Sequence, residues 1–512
     1  MPPIFFQTTI RTPRPARGLN VIRDRRRPFE TLTVLVLLLF PLSAALADPW
    51  AAPGDARLRH DLELLSDTGL VKAPLTSWPV SWAEVGRDLS AVTADIAHPA
   101  HIDAALARVR AAVSDAGRAG EWVRDVGVAG SVEPMTLRRF ADVPRGTGEL
   151  VASAQYTGAR FALRLQASAV GDPSDDQDVR FDGSYASVVL GNWMLSTGFV
   201  DRWWGPGWEG SLIYGTNQRP IPSITVERNY SDPFDARWLA WVGQWRLAFT
   251  LGQLEGDRGD APHAQFLGMR VTWKPHARVE VGISRSAQWC GRGRPCSFGT
   301  LWDLLAGNDN DQPLAAQPGN QLAGFDIRWS VPWIPLAVYG QAIGEDEAGG
   351  LPSKYLGLVG AESWGGWGAR SWRVHAEYAD TACIFNGSQP EFGCAYRNII
   401  YSDGYQFREQ SVGHAIDGDS RQLAFGVMLV EADGSSWQLA AQNAKINRAG
   451  ANPVQSVSVV PARVRSADLY HRRGLFGGDV KFGVGYEEFD STEAGDSDNC
   501  FRGFAQWTRA VQ

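Results

Sequence analysis

The amino-acid sequence predicts a mainly β protein: a large antiparallel transmembrane β-barrel with a small N-terminal α-helical bundle. Three observations support this fold class. The chain begins with the pattern of an export signal, continues with helical periodicity, and then alternates apolar and polar residues almost to its end. We therefore expect a signal peptide over residues 1–47, a helical domain over 48–120 and a barrel over 121–512.

The first segment has the composition of a secretory signal peptide. An arginine-rich stretch at residues 23–27 precedes an apolar run from Leu32 to Phe40, and the sequence Ala45-Leu46-Ala47 follows. A basic start, an apolar centre and small residues at the cleavage site define such signals. The apolar run is about half of the roughly 20 residues that a spanning helix needs. A membrane anchor is therefore the weaker interpretation, and we expect cleavage after Ala47.

The mature chain is acidic. Without residues 1–47 it has 42 basic and 54 acidic residues, a net charge near −12. Nucleic-acid phosphates need a basic surface, so this balance argues against a nucleic-acid partner. No later apolar stretch approaches the length of a spanning helix. The chain is then either soluble or crosses a membrane as a closed barrel, because lipid satisfies no backbone hydrogen bonds.

Five cysteines suit an oxidising compartment. Cys290 and Cys296 are close enough in sequence to form a disulfide, as are Cys383 and Cys394, which leaves Cys500 unpaired. Four cysteines allow three pairings, so the two local pairs are a preference. The chain has no Cys-x2-Cys pair with histidines nearby, so we expect neither a metal site nor a cofactor.

Residues 55 to about 116 have helical periodicity. Two apolar stripes recur every three to four residues, the spacing of one helix face; they are Leu58, Leu62 and Leu65, then Ile102, Leu106, Val109 and Val113. Between them, Ser81 and Glu84 have the spacing of a capping box. We expect two or three short helices that end at Gly117 to Gly120.

From about residue 121 the apolar period changes to two, which is typical of strands. Trp245, Leu247, Phe249 and Leu251 continue a row from Leu239 and Trp241, and a hairpin is expected to turn at Lys274 to Ala277. Comparable apolar rows are Phe325 to Trp329, Leu423 to Leu429 and Val480 to Tyr486. The last strand is expected from about Phe501 to Trp507.

A soluble sandwich or propeller would also alternate in this way. Two features favour a barrel in lipid. Trp238, Trp241 and Trp273 lie toward segment ends, where an interfacial aromatic girdle would place them. The apolar rows also recur without the helices or buried parallel strands that a large soluble core would need. Four polar segments are expected to be surface loops: 171–182, 307–320, 386–396 and 490–498.

The opposite face of the strands carries many charges of both signs. These residues are Arg246, Arg270, Lys274, Glu280, Asp326, Arg328, Arg373, Glu377 and Lys481. In a barrel they face the lumen. They would either line a water-filled channel or pair with one another and close the barrel, and the alternation permits both.

One stretch is too rich in aromatic residues and glycine for a plain hairpin. It reads Asp-Arg-Trp-Trp-Gly-Pro-Gly-Trp over 201–208 and continues with Asn-Gln-Arg-Pro over 217–220 and Glu-Arg-Asn over 227–229. Here the sequence resembles the Wzi-type capsule assembly family, whose members carry a similar Asp-x-Trp-Trp-Gly-Pro-Gly stretch followed by Asn-x-Arg-Pro. The resemblance extends to Leu58–Asp88, which contains Thr76-Ser77-Trp78-Pro79.

The resemblance implies an outer-membrane barrel of about eighteen strands with a periplasmic helical bundle. It also implies a lectin that holds capsular polysaccharide at the cell surface. The expected partners are capsular or extracellular polysaccharide and outer-membrane lipid, with periplasmic or outer-membrane export machinery as an open question. We expect a monomer. A general porin or sugar channel is the alternative function, because a charged lumen is common to both.

Aromatic faces stack on sugar C–H patches, while charged and amide side chains bind sugar hydroxyls or carboxylates. One segment supplies such a set, and we take it as the candidate polysaccharide site: Arg202, Trp203, Trp204, Trp208, Arg219, Glu227, Arg228 and Asn229. The alternative is architectural, with the tryptophans packing a loop against the inner wall. A family motif identifies the family better than it locates a ligand.

Catalytic motifs are absent. The sequence has no Gly-x-Ser-x-Gly elbow, His-Glu-x-x-His, phosphate loop or dinucleotide fingerprint. Gly418-Asp419-Ser420, near His414, and Gly495-Asp496-Ser497 have a distant similarity to a hydrolase nucleophile turn. Both lie in acidic, loop-like stretches where such triplets arise by chance. We therefore expect a protein that is not an enzyme.

Overall fold

The computed structural model describes residues 49–511 apart from 93–96, 174, 307–312, 314–315, 349–350, 386, 388 and 492–496. The expected signal peptide lies outside the described residues. Three helices precede the barrel: α1 Ala56–Asp67, α2 Trp82–Ser90 and α3 Ala100–Ala116. A fourth, α4 Phe298–Ala306, lies between two strands. Within the described ranges, no helix combines the length and apolar character needed to cross a bilayer.

The strands form one closed antiparallel barrel of eighteen strands, as predicted. In chain order they are β1 Trp122–Val132, β2 Gly148–Thr157, β3 Phe161–Gly171, β4 Tyr185–Leu190, β5 Trp193–Phe199, β6 Pro222–Arg228, β7 Gln244–Gln253, β8 Gln265–His276, β9 Val279–Trp289, β10 Gly319–Ser330, β11 Leu336–Ala348, β12 Leu351–Trp367, β13 Arg370–Asp380, β14 Arg421–Val430, β15 Ser436–Ile446, β16 Ala462–Leu475, β17 Gly478–Ser491 and β18 Ser497–Val511. The short segment Val179–Arg180 pairs with β3 beside β4 and is counted with it.

The last strand closes the barrel by pairing with the first. β18 pairs with β17 on one side and with β1 on the other, where Gly503 lies opposite Val132 and Val511 opposite Arg124. The strand predicted over Phe501 to Trp507 is therefore too short. Backbone pairing with two neighbours extends the strand beyond the residues whose side chains alternate.

The prediction that the apolar row of this strand begins at Leu239 is wrong. Arg237–Val242 form a 3-10 helix, and β7 begins only at Gln244. Gly243 between them has φ +67°, and a Cβ built there would lie 1.9 Å from the Lys274 carbonyl oxygen. The chain therefore turns at this glycine. The predicted hairpin turn lies slightly later, at Ala277–Arg278, because β8 continues to His276.

The outward row of each strand is apolar and exposed. On β14, Leu423, Phe425 and Val427 are 44%, 52% and 43% exposed. Trp238 and Trp241, in the 3-10 helix, are also exposed. In a closed barrel such rows have lipid as their natural partner, and aromatic residues at the rim form the interfacial girdle.

The inward charges pair with one another. Arg270 binds Asp326 on β10 at 2.7 Å, and Arg373 binds Glu362 on β12 at 2.6 Å. Seven of the nine charges predicted for this face are buried: Arg246, Arg270, Lys274, Glu280, Asp326, Arg373 and Glu377. Arg270, Asp326 and Arg373 thus form ion pairs, while Lys274, Glu280 and Glu377 bind polar groups of the helical segment, the motif segment and the wall.

The helices pack inside this wall and share its core. Leu62, Leu65 and Ile102 are buried in the same cluster as lumenal residues such as Trp204 and Tyr405. Helices and strands belong to one compact unit. The division into a helical domain over 48–120 and a barrel domain over 121–512 stays a prediction.

The predicted capping box forms only in part. The Ser81 hydroxyl accepts from the Glu84 backbone N–H at 3.4 Å and so caps α2. The Glu84 carboxylate accepts from the Ser231 backbone N–H at 2.9 Å. The sequence pattern predicts that Glu84 caps its own helix. Its side chain instead binds Ser231, in the connection between β6 and β7.

The two ends of the barrel differ in their connections. At one end, the turn end, they have two to five residues apart from 229–243: 158–160, 191–192, 277–278, 331–335, 368–369, 431–435 and 476–477. At the other, the loop end, most are long: 133–147, 172–184, 200–221, 254–264, 290–318, 381–420 and 447–461. The described parts of the four predicted loops fall at the loop end, with their outermost residues, such as Gly319 and Asp490, inside strands.

Candidate functional site

The two segments that carry the family resemblance pair with each other inside the barrel. Trp203–Trp204 and Ser77–Trp78 form a two-stranded antiparallel sheet, with Trp203 opposite Trp78 and Trp204 opposite Ser77. The Gly205 N–H donates to the Thr76 carbonyl oxygen at 2.9 Å and extends the pairing. The connection between β5 and β6 is thereby fixed to the helical segment.

The glycines of the motif permit close approach. Gly205 has φ +142°, and a Cβ there would lie 2.9 Å from the Gln341 amide. A Cβ on Gly207 would lie 2.2 Å from the Gly210 carbonyl oxygen. Only glycine fits these two positions without displacing the wall or the turn.

Arg59 on α1 holds the Gly-Pro-Gly turn. Its guanidinium donates to the carbonyl oxygens of Pro206 and Gly207 at 2.6 and 2.7 Å. The same group lies 4.1 Å from the centroid of the Trp208 ring and 4.6 Å from that of Phe140. Backbone hydrogen bonds and cation–π contacts thus fix the turn to the helix.

Trp208 also contacts the barrel wall. Its backbone N–H donates to Glu377 at 2.9 Å, and its ring stacks on His375 with centroids 5.4 Å apart. His375 Nε2 lies 2.8 Å from a carboxylate oxygen of Glu209, the next residue of the motif segment. The segment is therefore bound on one side by α1 and on the other by β13.

A second group of predicted residues lies at the start of the segment, on β6 and directly after β6. Arg202 donates to Thr225 at 3.0 Å and lies 3.8 Å from Glu227, which Arg246 approaches at 3.6 Å. The Asn229 amide oxygen accepts from the Ser81 hydroxyl at 2.8 Å. Arg228 lies over the Trp245 ring at 3.7 Å and is separate from this group.

Arg219 lies in a third place, near the loop end. It donates to both carboxylate oxygens of Asp182, at 2.7 and 2.8 Å, and to Asp175 at 2.6 Å. Arg180 also donates to Asp175, at 2.9 Å. The four residues Arg180, Asp175, Asp182 and Arg219 are named the loop-end ion cluster.

The structure brings the three tryptophans together and separates them from Arg219 and Arg228. All eight residues of the predicted polysaccharide site are between 0% and 8% exposed. Each of them contacts other residues of the protein. The tryptophans pack the motif segment inside the barrel, as the architectural alternative expects. That these eight residues bind sugar stays a prediction.

A polar cavity that the sequence analysis missed lies beside the motif. It measures about 620 Å³, within the roughly 300–1,000 Å³ range of ligand sites. The inward faces of β1–β3 form its wall, through Asp125, Ser153, Arg164 and Gln166. It extends from Asp479, near the turn end, to residues near the loop end. We name it the lumenal cavity.

The motif segment borders this cavity. Asp201 and Pro220 contribute to its lining, as do Arg180 and Asp182 of the loop-end ion cluster. Burial raises the pKa of Asp201 to about 6, the neighbouring Asp142 acts in the same direction, and Arg145 opposes both. No aromatic ring is part of the lining that the described residues form, so this cavity can bind through hydrogen bonds and ion pairs.

A weak signal for the lumenal cavity was present in the sequence. On β3, Arg164, Gln166 and Ser168 alternate with the outward Leu165 and Ala167, as the polar residues of other strands do. The alternation shows that these residues face the lumen. Alternation cannot show which part of the lumen the helices and loops fill, or that the part beside β1–β3 stays open.

The histidine near the hydrolase-like triplet is buried in the lumen. A Cβ on Gly210 would lie 1.9 Å from Nε2 of His414. Burial lowers the pKa of His414 to about 4, and Glu209 opposes the shift. The Ser420 hydroxyl donates to the Gly418 carbonyl oxygen at 2.9 Å and is fully buried.

Two disulfides stabilise loop-end connections. Cys290 is bonded to Cys296 and Cys383 to Cys394, the two local pairs preferred from the sequence, and Cys500 on β18 is a free cysteine. In the part of the chain that the structure describes, no group of three or more His, Cys, Asp or Glu side chains is arranged to hold a metal ion.

Comparison with known proteins gives three consistent findings. The model of the capsule assembly protein Wzi family matches residues 132–496. An uncharacterized 55.8 kDa protein in the cps region of Klebsiella pneumoniae is 34% identical over 422 residues, 81% of each chain. The structure of Wzi from Escherichia coli has a TM-score of 0.78 at 29% identity, over 89% of this chain and 98% of that one.

That Escherichia coli protein is described as a carbohydrate-binding β-barrel of the outer membrane, involved in group 1 capsule assembly. The present chain has the same closed barrel with an apolar outer face, and the family match covers most of its length. It is therefore an outer-membrane β-barrel that belongs to the capsule assembly protein Wzi family.

Proposed function

We propose that this protein is a non-enzymatic lectin that binds and anchors capsular or extracellular polysaccharide at the cell surface. The observation that carries the proposal is its likeness to Escherichia coli Wzi, a carbohydrate-binding barrel, over 98% of that chain. The family match over residues 132–496 adds capsule assembly as the process.

The packing of the lumen supports binding rather than general passage. Connections from the loop end fold inward, and the Tyr396 and Tyr405 hydroxyls donate to the carbonyl oxygens of Leu212 and Ile213 at 2.6 and 2.7 Å. Lumenal connections and helices form one continuous buried cluster. A general porin needs a water-filled lumen instead.

The connections supply an orientation for this proposal. Bacterial barrels have short turns on the periplasmic side and long loops outside, which places the turn end in the periplasm. The helical segment meets that end, where Arg57 donates to the Gly434 carbonyl oxygen at 2.6 Å and Arg108 to that of Glu431 at 3.2 Å. The helices, packed inside the wall at its turn end, then face the periplasm, where export machinery would meet them, and the loop end meets polysaccharide.

Within the protein we propose the lumenal cavity as a sugar-binding site. Arg164, Gln166 and Asp201 offer donors and acceptors for sugar hydroxyls and carboxylates. The buried tryptophans act as the support of this site, because the segment that contains them positions Asp201 and Pro220 at its border. Stacking on Trp203 or Trp204 would require displacement of the surrounding core.

The surroundings of the hydrolase-like triplet Gly418-Asp419-Ser420 support a non-enzymatic role. A nucleophile needs a hydroxyl that substrate can reach and a base within hydrogen-bond distance. Ser420 is buried and donates to the Gly418 carbonyl oxygen, while its hydroxyl accepts from the Asn447 N–H at 3.1 Å. His414 Nδ1 accepts from the Ile416 N–H at 3.3 Å.

Deletion and complementation in the source bacterium test the function. Cells without the protein should lose surface polysaccharide to the medium, and the wild-type chain should restore retention. Unchanged retention in the deletion strain would remove the anchoring role. Light scattering of the purified protein in detergent checks that it is a monomer.

Purified variants test the site separately. Arg164→Gln combined with Asp201→Asn should weaken binding of the host polysaccharide at least tenfold. Arg124→Gln is the matched control, because Arg124 is exposed on the outer face of β1. If the wild type binds and the double variant binds equally well, the sugar site lies elsewhere while the lectin function stands.

A narrow channel is the second candidate function, and one observation favours it. The lumenal cavity extends over most of the height of the wall, and Arg180 and Asp182 of the loop-end ion cluster line its outer end. A steady open pore of the wild-type protein in a planar bilayer would favour passage over binding.

A further inference from the structure

Three cations lie side by side on the outer wall, at the loop end of adjacent strands. Arg421 on β14 is the direct partner of Lys445 on β15, and Lys445 is the direct partner of Arg463 on β16. Directly opposed residues in an antiparallel pair have their Cα atoms about 4.5–5.5 Å apart. The three side chains, which we name the outer cation row, therefore lie at one level.

The outer cation row faces away from the lumen. On β14, Arg421 continues the outward series of Leu423, Phe425 and Val427, and the inward residue beside it, Gln422, is buried. On β15, Lys445 continues the outward series that contains Leu439 and Trp437. At about 3.4 Å per residue, the apolar part of β14 below Arg421 is about 20 Å long, and the row lies at its upper edge.

A carboxylate lies at each end of the row, because Asp380 is the direct partner of Arg421 and Asp490 that of Arg463, but another arginine engages each of them. Arg448 is bound to Asp380 at 2.5 Å, and Arg465 to Glu488 at 2.6 Å and Asp490 at 3.8 Å. Among the described residues, Arg421, Lys445 and Arg463 have no ion pair within 4.0 Å. Like charges directly opposite each other destabilise a sheet, so an anion between them would relieve the repulsion.

The row borders an open pocket of about 470 Å³. Its other walls are Ile446, Arg448, Pro461 and Ala462, and the carboxylate of Asp490 lies at its edge. Below Arg421 the outward residues of β14 are apolar, whereas Asn443 and Arg465 follow Lys445 and Arg463 before the apolar Leu439 and Leu469. A charged and polar band above an apolar surface matches an amphiphile whose anionic headgroup lies at the edge of its hydrocarbon chains. In the orientation proposed above, the pocket opens to the outer leaflet, where the lipid headgroups are phosphorylated sugars.

We propose that the outer cation row binds the phosphate groups of an outer-leaflet glycolipid. Guanidinium and ammonium groups make charge-assisted hydrogen bonds to phosphate, and clusters of cations at a membrane surface recognise anionic headgroups. The contact is independent of the lumenal cavity and holds this side of the barrel in a fixed lipid environment. It would also place the protein beside the saccharide layer that covers the cell.

Native mass spectrometry of the full-length mature protein in detergent tests the proposal, with a hexa-acylated lipid A that carries two phosphates as the probe. The triple variant Arg421→Gln, Lys445→Gln, Arg463→Gln should weaken lipid binding on the order of a hundredfold, or about fivefold per cation. Arg124→Gln, an outward cation near the turn end, is the matched control and should bind as the wild type does.

Two competitors identify the source of the phosphate. Millimolar inorganic phosphate should not displace the lipid, because it lacks the chains that contact the apolar rows, and a lipid A without phosphate should bind like the triple variant. Equal binding by the triple variant and the wild type would overturn the proposal, as would displacement by inorganic phosphate or by an acidic polysaccharide. If the triple variant does not show the heat-modifiable migration of a folded barrel, the single variants Arg421→Gln and Arg463→Gln are measured, each with an expected loss of about fivefold.

Discussion

The indole N–H of Trp208 donates a hydrogen bond of 2.8 Å to the Glu362 carboxylate on β12. The same carboxylate binds Arg373 at 2.6 Å and Arg328 at 2.7 Å, and Arg328 also binds Asp67, the last residue of α1, at 2.8 Å. One wall residue therefore connects the motif segment with the ion pairs that hold the helix. Substitutions in this network should affect stability before they affect ligand binding.

Trp208→Phe keeps an aromatic ring and removes the donor to Glu362. A hydrogen bond to a charged group contributes about 1.5–3 kcal/mol, so we expect a loss of that order. Trp208→Ala also removes a buried ring and should cost about 3–5 kcal/mol. The midpoint of heat-modifiable migration on gels measures both. Trp302→Phe on α4, whose ring is 63% exposed, is the control, and a loss at Trp302 equal to that at Trp208 would contradict the network.

The double substitution Trp203→Ala, Trp204→Ala separates support from recognition. Both side chains are buried, so we expect lower stability but unchanged polysaccharide affinity per folded molecule. Binding is measured on barrels purified at low temperature and checked for folding by their migration. A folded double variant that no longer binds polysaccharide would restore the tryptophans as sugar contacts.

His414 should make stability depend on pH. The pKa of His414 is about 4 in the folded protein and 6.5 when unperturbed. The unfolded chain binds the proton more tightly, so stability falls as pH decreases from about 6.5 to about 4, by up to about 3 kcal/mol. His414→Gln cannot become charged and should reduce this dependence. His276→Gln, at an exposed position, is the control, and the same pH dependence in all three proteins would contradict the assignment.

Gly210 is required by the position of His414. Gly210→Ala would place a methyl group 1.9 Å from Nε2 of His414, and such overpacking costs about 1–3 kcal/mol or more. Adding His414→Ala should recover part of that loss, so the two effects should not add. Gly148→Ala on β2 is the control, because a Cβ there has no heavy atom within 4 Å. Strict additivity would show that the two residues are not in contact.

The loop-end ion cluster should control conductance. The wild-type barrel is expected to show no steady open pore in a planar bilayer. Arg180→Ala combined with Arg219→Ala removes both cations that bind Asp175 and Asp182 beside the outer end of the lumenal cavity, and should produce measurable openings. Arg465→Ala, which removes an ion-paired arginine from the outward face of β16, is the control. A silent, folded double variant would show that other contacts close the cavity.

The barrel could be predicted from the alternation together with the family motif. The alternation on β14 and the charges on β8 and β13 identified the lipid-facing and lumen-facing residues, because successive side chains of a strand point to opposite faces. The Trp-Trp-Gly-Pro-Gly motif identified the family and, through it, the number of strands. The N-cap of α2 was also visible, since capping is a local interaction between Ser81 and Glu84.

The contacts of the inward residues could not be predicted from the sequence, because they depend on the tertiary structure. Arg328 meets Asp67 across 261 positions of sequence, and Trp203 meets Trp78 across more than a hundred. Such pairs depend on where the closed wall places each strand and on which part of the lumen the helices occupy. The same geometry buries the motif tryptophans and leaves the polar faces of β1–β3 open as a cavity. The alternation of side chains is a property of each strand, whereas the filling of the lumen is a property of the whole barrel.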